Sequence, residues 1–253
     1  MANWSDPRVT GASPRVADPL EGVRVPSTGA AARDAGLRSY MLSVYNYMAS
    51  GVLLSGVVAL LFARSGMAAQ VFGSPGILKY VILFSPLIMI FAFGSVVKRG
   101  STAAVGAMFW AFAAVMGLSL STVMLIYPGA EIAQAFFATT AAFVALSLYG
   151  YTTKKDLSGF GTFLIMGVIG LIVASLLNMF LRSGTLNLAI SAIGVLIFAG
   201  LTAYDTQRIK SLYFQVAGSD MVGKTAIMGA LSLYLDFVNM FQFLLSIMGG
   251  NRN

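Results

Sequence analysis

Asn187–Ile209 reads NLAISAIGVLIFAGLTAYDTQRI, a run of 23 residues that stays apolar until its last quarter. A helix rises 1.5 Å per residue, so about 20 such residues cross the ~30 Å hydrocarbon core of a bilayer. Six further runs have the same character, and the seven together hold 160 of the 253 residues. The others are Tyr40–Phe62, Gly76–Val97, Ala103–Ile126, Ala130–Tyr151, Gly159–Leu181 and Ala226–Met248. The sequence therefore predicts an all-α, polytopic membrane protein with seven transmembrane helices.

The composition excludes most soluble functions. Hydrophobic residues make up 58% of the chain and charged residues 10%, with a mean hydropathy of +0.83. Soluble domains average about 45–50% apolar and about 25% charged residues. The chain has no cysteine and no histidine, which excludes disulfides, thiolate metal sites and the usual general base. We expect that the protein is not an enzyme and has no resident cofactor. Any sensing of pH near neutrality must depend on carboxylates or amines.

Basic residues indicate the orientation of the chain. With seven spans and an internal N-terminus, 12 lysines and arginines lie on the inner side and 4 on the outer side, as the positive-inside rule requires. Residues 1–36 contain four of the seven prolines and no long apolar run, so we expect a disordered cytoplasmic tail. Residues 37–249 then form the transmembrane domain, and 250–253 a short C-terminal tail. The positive charge fits anionic lipid, and a nucleic-acid partner is not needed to explain it.

One motif matches a phosphate-binding loop by chance. Gly218–Thr225 reads GSDMVGKT and fits the pattern G-x-x-x-x-G-K-[ST]. In a true phosphate loop this pattern joins a strand of a parallel sheet to a helix, but the polar connector here is too short to carry a sheet. We interpret it as a turn followed by the start of a helix.

Asp205 and Asp236 are the only acidic residues well inside apolar runs, because Glu131 is the second residue of its run and lies at a helix end. An ionised aspartate at the bilayer centre costs about 2.5–3.5 kcal/mol, and such residues usually face the bundle interior. If residues 215–224 form a turn, the helical arms to the two aspartates are roughly 13.5 and 16.5 Å long, which places the carboxylates within ~3 Å of the same depth. Polar neighbours at helical spacing flank each aspartate: Thr202 and Arg208, and Ser232 and Asn239.

Two simpler interpretations remain open. In the first, Asp205 forms only a local ion pair with Arg208 at a helix end. In the second, Asp236 has a structural role and no other function.

Three segments resemble a known family. AYDTQRIK at 203–210 and GALSLYLDFVN at 229–239 look like the signatures of the transmembrane Bax-inhibitor-motif family, and LYGYTTKKDLS at 148–158 is similar to a loop of its bacterial branch. The resemblance, which runs from about Arg38 to Met248, implies a bundle whose last helix is central and wrapped by the other six. It also implies that Asp205 and Asp236 form a di-aspartyl pH sensor in a calcium-leak pathway, in the inner membrane. Lys98 and Arg99 are candidates for the basic residue that contacts the pair in some members.

Two close carboxylates titrate as one unit, because both cannot ionise cheaply. Calcium prefers six to eight oxygen ligands, so Asp205 and Asp236 would bind it weakly and transiently, as conduction requires. We therefore expect a pH-sensitive calcium or cation leak in contact with membrane lipids. The main alternative is a non-transport regulator that binds a partner such as a membrane protease, and a proton-coupled exchanger is a third interpretation. The oligomeric state is left open.

Overall fold

The computed structural model describes residues 28–249, and the chain divides into two units, 1–36 and 37–253. Of the first unit only 28–36 are described, as the first turns of a helix; the sequence analysis had assigned them to the disordered tail. The rest of that tail, 1–27, and the C-terminal tail, 250–253, lie outside the described residues.

Eight helices make up the described chain, and no strand occurs between residues 28 and 249. Seven of them are long and apolar enough to cross a membrane, which confirms the predicted all-α fold with seven spans. The eighth, α2, is a short helix in the first connector. The helices are α1 (Thr28–Arg64), α2 (Met67–Gly73), α3 (Leu78–Arg99), α4 (Thr102–Ile126), α5 (Gly129–Thr152), α6 (Ser158–Leu181), α7 (Gly184–Val216) and α8 (Met221–Gly249).

The hairpin of α7 and α8 is longer than the sequence predicted. α7 continues past Ile209 to Val216, and α8 begins at Met221, so the connector has four residues. The predicted turn over 215–224 was therefore wrong at both ends. Gly218 adopts a φ of +80°, a left-handed conformation that glycine reaches without steric cost. The second half of the phosphate-loop pattern lies inside α8, which agrees with its interpretation as a turn and a helix start.

α8 lies at the centre of the bundle. It packs against α4, α5 and α7, and Tyr234 on α8 lies 2.6 Å from the Ser55 hydroxyl on α1. Thirteen of its 29 residues are buried, whereas α6 buries only three residues. The central position implied by the family resemblance is thus observed, although α3 and α6 face α8 mainly across a cavity.

Glycines allow the helices around α7 to approach closely. A Cβ added at Gly150 of α5 would fall on the carbonyl oxygen of Ala203, and one added at Gly194 of α7 would lie 2.6 Å from the ring of Phe243. In lipid, helix association depends on such close packing because the hydrophobic effect no longer drives it. These contacts fix α7 between α5 and α8.

Pro86 interrupts the hydrogen bonding of α3. Proline has no backbone N–H, so the carbonyl of Ile82, four residues earlier, loses its helical partner. The hydroxyls of Ser85 and Ser119 donate to that carbonyl at 2.9 and 2.7 Å. Because Ser119 belongs to α4, the proline creates a polar bond between α3 and α4.

Candidate functional site

Contacts along the hairpin define the register between α7 and α8. The Ser191 hydroxyl donates to the Ser246 hydroxyl at 3.0 Å near the start of α7. Nearer the connector, a Cβ added at Gly229 would lie 3.1 Å from the side chain of Ile209. Since the helices are antiparallel, these two contacts determine which residues of α7 and α8 lie at the same depth.

In that register Asp236 lies at the depth of Thr202, and Asp205 lies three residues nearer the connector. At 1.5 Å per residue the offset is about 4.5 Å, or nearly one helical turn. The turn predicted over 215–224 gave an offset of about 3 Å. The two values are similar because both helices extend into the predicted turn. The hairpin therefore brings the two aspartates close together in depth.

Asp205 is buried on α7 but has a basic neighbour. The residue is 8% exposed, and one carboxylate oxygen lies 3.9 Å from the guanidinium of Arg208. The Arg208 side chain is 66% exposed, so this is a weak, partly solvated pair between residues three apart on one helix. The local ion pair considered from the sequence is therefore observed.

Asp236 is the more isolated of the two carboxylates. It is 4% exposed, and its Oδ2 atom has no hydrogen-bond partner among the described residues. Asn239, one turn away, donates its side-chain amide to the backbone carbonyl of Leu235 at 2.8 Å. A buried polar atom without a hydrogen-bond partner lowers the stability of a fold. Packing alone therefore does not explain why an aspartate occupies position 236.

Both aspartates line one cavity of about 770 Å³ between α3, α6, α7 and α8. Three of the residues predicted to support the pair, Arg208, Ser232 and Asn239, line it too. Its remaining wall is mostly apolar and comes largely from α3 and α6, including Leu87, Ile90, Ile165, Leu171 and Leu176. The structure thus gathers the polar residues of α7 and α8 on one side of an otherwise apolar space.

A second cavity of about 350 Å³ continues the polar surface along α8. It shares Leu87, Ile90, Leu235 and Asn239 with the first and adds Ser119, Thr122 and Gln242. Along α8 the polar positions are Ser232, Asp236, Asn239 and Gln242, at steps of three or four residues that keep them on one face. Ser119 and Thr122 were not predicted from the sequence, although two hydroxyl groups three residues apart in an apolar run were a signal.

Lys98 and Arg99 are placed differently from the other predicted residues. They are exposed in the last turn of α3 and do not line the cavity. Lys98 follows Ile90 by eight residues, about 12 Å along the helix axis. The structure does not bring either side chain into the group formed by Asp205 and Asp236.

The donor set is too sparse for a tight metal site. Among the described residues, no group of three or more acidic, cysteine or histidine side chains is placed to hold a metal ion. Asp205 and Asp236 offer four carboxylate oxygens, and calcium prefers six to eight ligands. Any cation in this cavity would depend on water for the rest of its coordination.

The 203–210 segment has a second role that the sequence analysis did not find. The Gln207 amide accepts from the backbone N–H of Leu157 and donates to the carbonyl of Lys155, both at 2.8 Å. The Lys210 ammonium donates to the carbonyl of Tyr151 at 2.8 Å. These bonds hold the end of α5 and the α5–α6 connector, 153–157, against α7 and join two of the three segments that carried the family resemblance.

The fold and the cavity define a polytopic helical membrane protein with a buried pair of carboxylates on its two central helices. The family model described as "Inhibitor of apoptosis-promoting Bax1" matches residues 37–253, and the chain belongs to this Bax inhibitor family. That result confirms the resemblance drawn from the three segments.

Several bacterial proteins are similar over nearly their whole length. An uncharacterized protein of Caulobacter vibrioides is 48% identical over 232 residues, covering 87% of this chain and 91% of the relative. An uncharacterized protein of Rickettsia prowazekii is 45% identical, with 87% and 93% covered. The inner membrane protein YbhL of Escherichia coli is 40% identical, with 86% and 94% covered.

Proposed function

We propose that this protein is a pH-sensitive leak pathway for calcium or other cations, gated by Asp205 and Asp236. The observation that supports it is the buried, unpartnered Oδ2 atom of Asp236 in the same cavity as Asp205. An ionisable residue within a span that faces a cavity commonly marks an ion pathway or a proton relay.

The proposed switch is a proton shared by the two carboxyl groups. With one proton the groups can hydrogen-bond to each other and hold α7 against α8. Loss of that proton leaves two like charges in a space of low dielectric, where repulsion is strong. Arg208 is the other charged residue among those lining the cavity. Its exposed guanidinium lies beside Asp205 and offsets the negative charge of that carboxylate only. Deprotonation therefore favours separation of the helices and entry of a cation.

The proposed route follows the polar face of α8. A cation leaving the aspartates would next meet the side-chain oxygens of Asn239 and Gln242, with Ser119 and Thr122 opposite in the second cavity. None of these positions provides a complete calcium coordination sphere. Sites that bind weakly and in series allow an ion to enter and also to leave.

We place the protein in the bacterial inner membrane with its N-terminus in the cytoplasm. The printed name of the relative YbhL describes an inner membrane protein, and 12 of 16 basic residues lie on the inner side in this orientation. Asp205 then lies in the inner half of the membrane, and Gln242 in the outer half.

The decisive experiment is calcium flux into liposomes that contain the purified full chain and an internal calcium dye. We expect wild-type flux to rise with pH, and Asp205→Asn and Asp236→Asn each to remove that dependence, because a single carboxyl no longer feels a like charge. The double variant should resemble the single ones, since residues that act as one unit are not additive. Asp156→Asn is the matched control, because Asp156 is exposed in the α5–α6 connector and should leave the pH profile unchanged.

The proposal is wrong if both single variants keep the wild-type pH profile or if their effects simply sum. Asp205 would then be only the helix partner of Arg208. A wild-type protein without flux at any pH would instead favour the non-transport regulator that binds a membrane partner.

A further inference from the structure

A separate crevice lies between α1 and α5 and shares no lining residue with the cavity that contains the aspartates. It has a volume of about 480 Å³. Arg38, Met41, Leu42 and Tyr45 of α1 line one wall, and Phe143, Val144, Ser147, Leu148 and Tyr151 of α5 line the other. Arg38 lies two residues before the first apolar run and Tyr151 ends the fourth, so one end of the crevice lies at a membrane face.

The crevice is open towards the lipid and has the dimensions of part of an acyl chain. The side chains of Leu42, Val144 and Leu148 are 53%, 59% and 61% exposed, which is typical of residues that face the membrane. From Tyr151 to Phe143 the wall runs eight residues along α5, about 12 Å. Apolar walls of this length suit a hydrocarbon chain lying along the membrane normal.

The end of the crevice at the membrane face is basic. Arg38 is exposed there, and Lys210 reaches the same end, with its ammonium 2.8 Å from the carbonyl of Tyr151 and 4.8 Å from the centre of that ring. Neither Arg38 nor Lys210 forms an ion pair with a carboxylate of the described residues. Two positive charges at the mouth thus lack a carboxylate partner among the described residues.

We propose that this crevice binds an anionic phospholipid, with an acyl chain along α1 and α5 and the phosphate group at Arg38. Charge complementarity selects this occupant, because basic pockets between helices at a membrane face are suited to anionic head groups. Arg38 provides the main contact, since its guanidinium can donate two parallel hydrogen bonds to a phosphate. Lys210 adds charge while it remains bonded to the end of α5.

Native mass spectrometry of the purified full chain in mixed micelles tests the proposal. The probes are dioleoyl phosphatidylglycerol and dioleoyl phosphatidylcholine, which share their acyl chains and differ in head-group charge. We expect a preference for phosphatidylglycerol, which Arg38→Gln reduces about fivefold, the factor equivalent to ~1 kcal/mol for one basic residue near an anionic surface. Arg38→Lys should keep most of the preference.

Matched variants separate the crevice from general effects. Arg64→Gln removes a charge from the other end of the same helix and should leave the preference intact. Val144→Trp fills the crevice and should reduce binding of both lipids, whereas Leu53→Trp, on an exposed face of α1 outside the crevice, should not.

The proposal is overturned if the wild type binds both lipids equally, or if Arg38→Gln and Arg64→Gln reduce the preference alike. It is also overturned if Val144→Trp leaves binding unchanged, or if free glycerol phosphate in excess competes with the lipid, because a site without the acyl chain would then be enough.

Discussion

Two hydroxyl groups connect three helices at the centre of the bundle, and removing each should have a different cost. Tyr234 of α8 is fully buried, and its hydroxyl lies 2.6 Å from that of Ser55 on α1. The Ser55 oxygen also lies 2.7 Å from the carbonyl of Ala113 on α4. A carbonyl can only accept, so the one proton of Ser55 goes to a carbonyl and Tyr234 donates to Ser55.

The direction of these hydrogen bonds predicts how the stabilities of the single and double variants compare. Tyr234→Phe removes one hydrogen bond and leaves Ser55 paired, so we expect a loss of about 0.6 kcal/mol, the average for an interhelical bond in a membrane protein. Ser55→Ala leaves the Tyr234 hydroxyl buried without an acceptor, which costs about 1–3 kcal/mol. The double variant removes that unpaired donor and should be more stable than Ser55→Ala alone.

The free energy of unfolding can be measured by steric trapping in bicelles. Ser50→Ala is the control, because the Ser50 hydroxyl donates only to the Asn46 carbonyl of its own helix and its loss should change stability little. The reasoning fails if Ser55→Ala costs no more than Tyr234→Phe, or if the double variant is the least stable of the three.

Two further predictions test the orientation and the helix packing. A reporter fused after Asn253 should lie outside the cytoplasm, because seven spans begin from an internal N-terminus; a cytoplasmic reporter would contradict the span count or the orientation. Gly150→Val should destabilise the protein by about 1–3 kcal/mol in the same unfolding assay, because its Cβ would meet the Ala203 carbonyl. Gly170→Val on α6, where an added Cβ meets nothing within 4 Å, should change stability little, and equal effects would show that close packing of α5 on α7 is not the cause.

The spans could be predicted from the sequence because hydrocarbon thickness sets their minimum length, but their ends could not. α7 continues seven residues beyond Ile209, through a mixed stretch in which Lys210, Ser211 and Gln215 interrupt the apolar run. Packing outside the apolar region explains this extension: the ring of Tyr213 lies 5.3 Å from that of Tyr40. Such contacts depend on a distant part of the chain, which hydropathy does not report.

The aspartates could also be found from the sequence, since an acid in an apolar run is conspicuous, whereas the roles of their neighbours could not. In the 205–210 segment, Asp205 and Arg208 line the cavity, while Gln207 bonds to the α5–α6 connector and Lys210 to the end of α5. These roles depend on which helix lies on each side of α7. Lys98 and Arg99 illustrate the converse, because the family resemblance made them candidates and the length of α3 keeps them from the cavity.

The two faces of α8 differ in a way that suits a switch. Tyr234 and Asp236 are two residues apart, about 200° around the helix, so they point to nearly opposite sides. On the Tyr234 side α8 is bonded to α1 and packed tightly, and on the Asp236 side it faces a cavity whose far wall comes from α3 and α6. A change of charge at Asp236 therefore acts on the open side, where side chains and helices can move with little loss of packing. The close-packed side resists the same force, because displacing Tyr234 would break a buried hydrogen bond. We therefore expect Tyr234→Phe to alter stability and leave the pH profile of calcium flux unchanged.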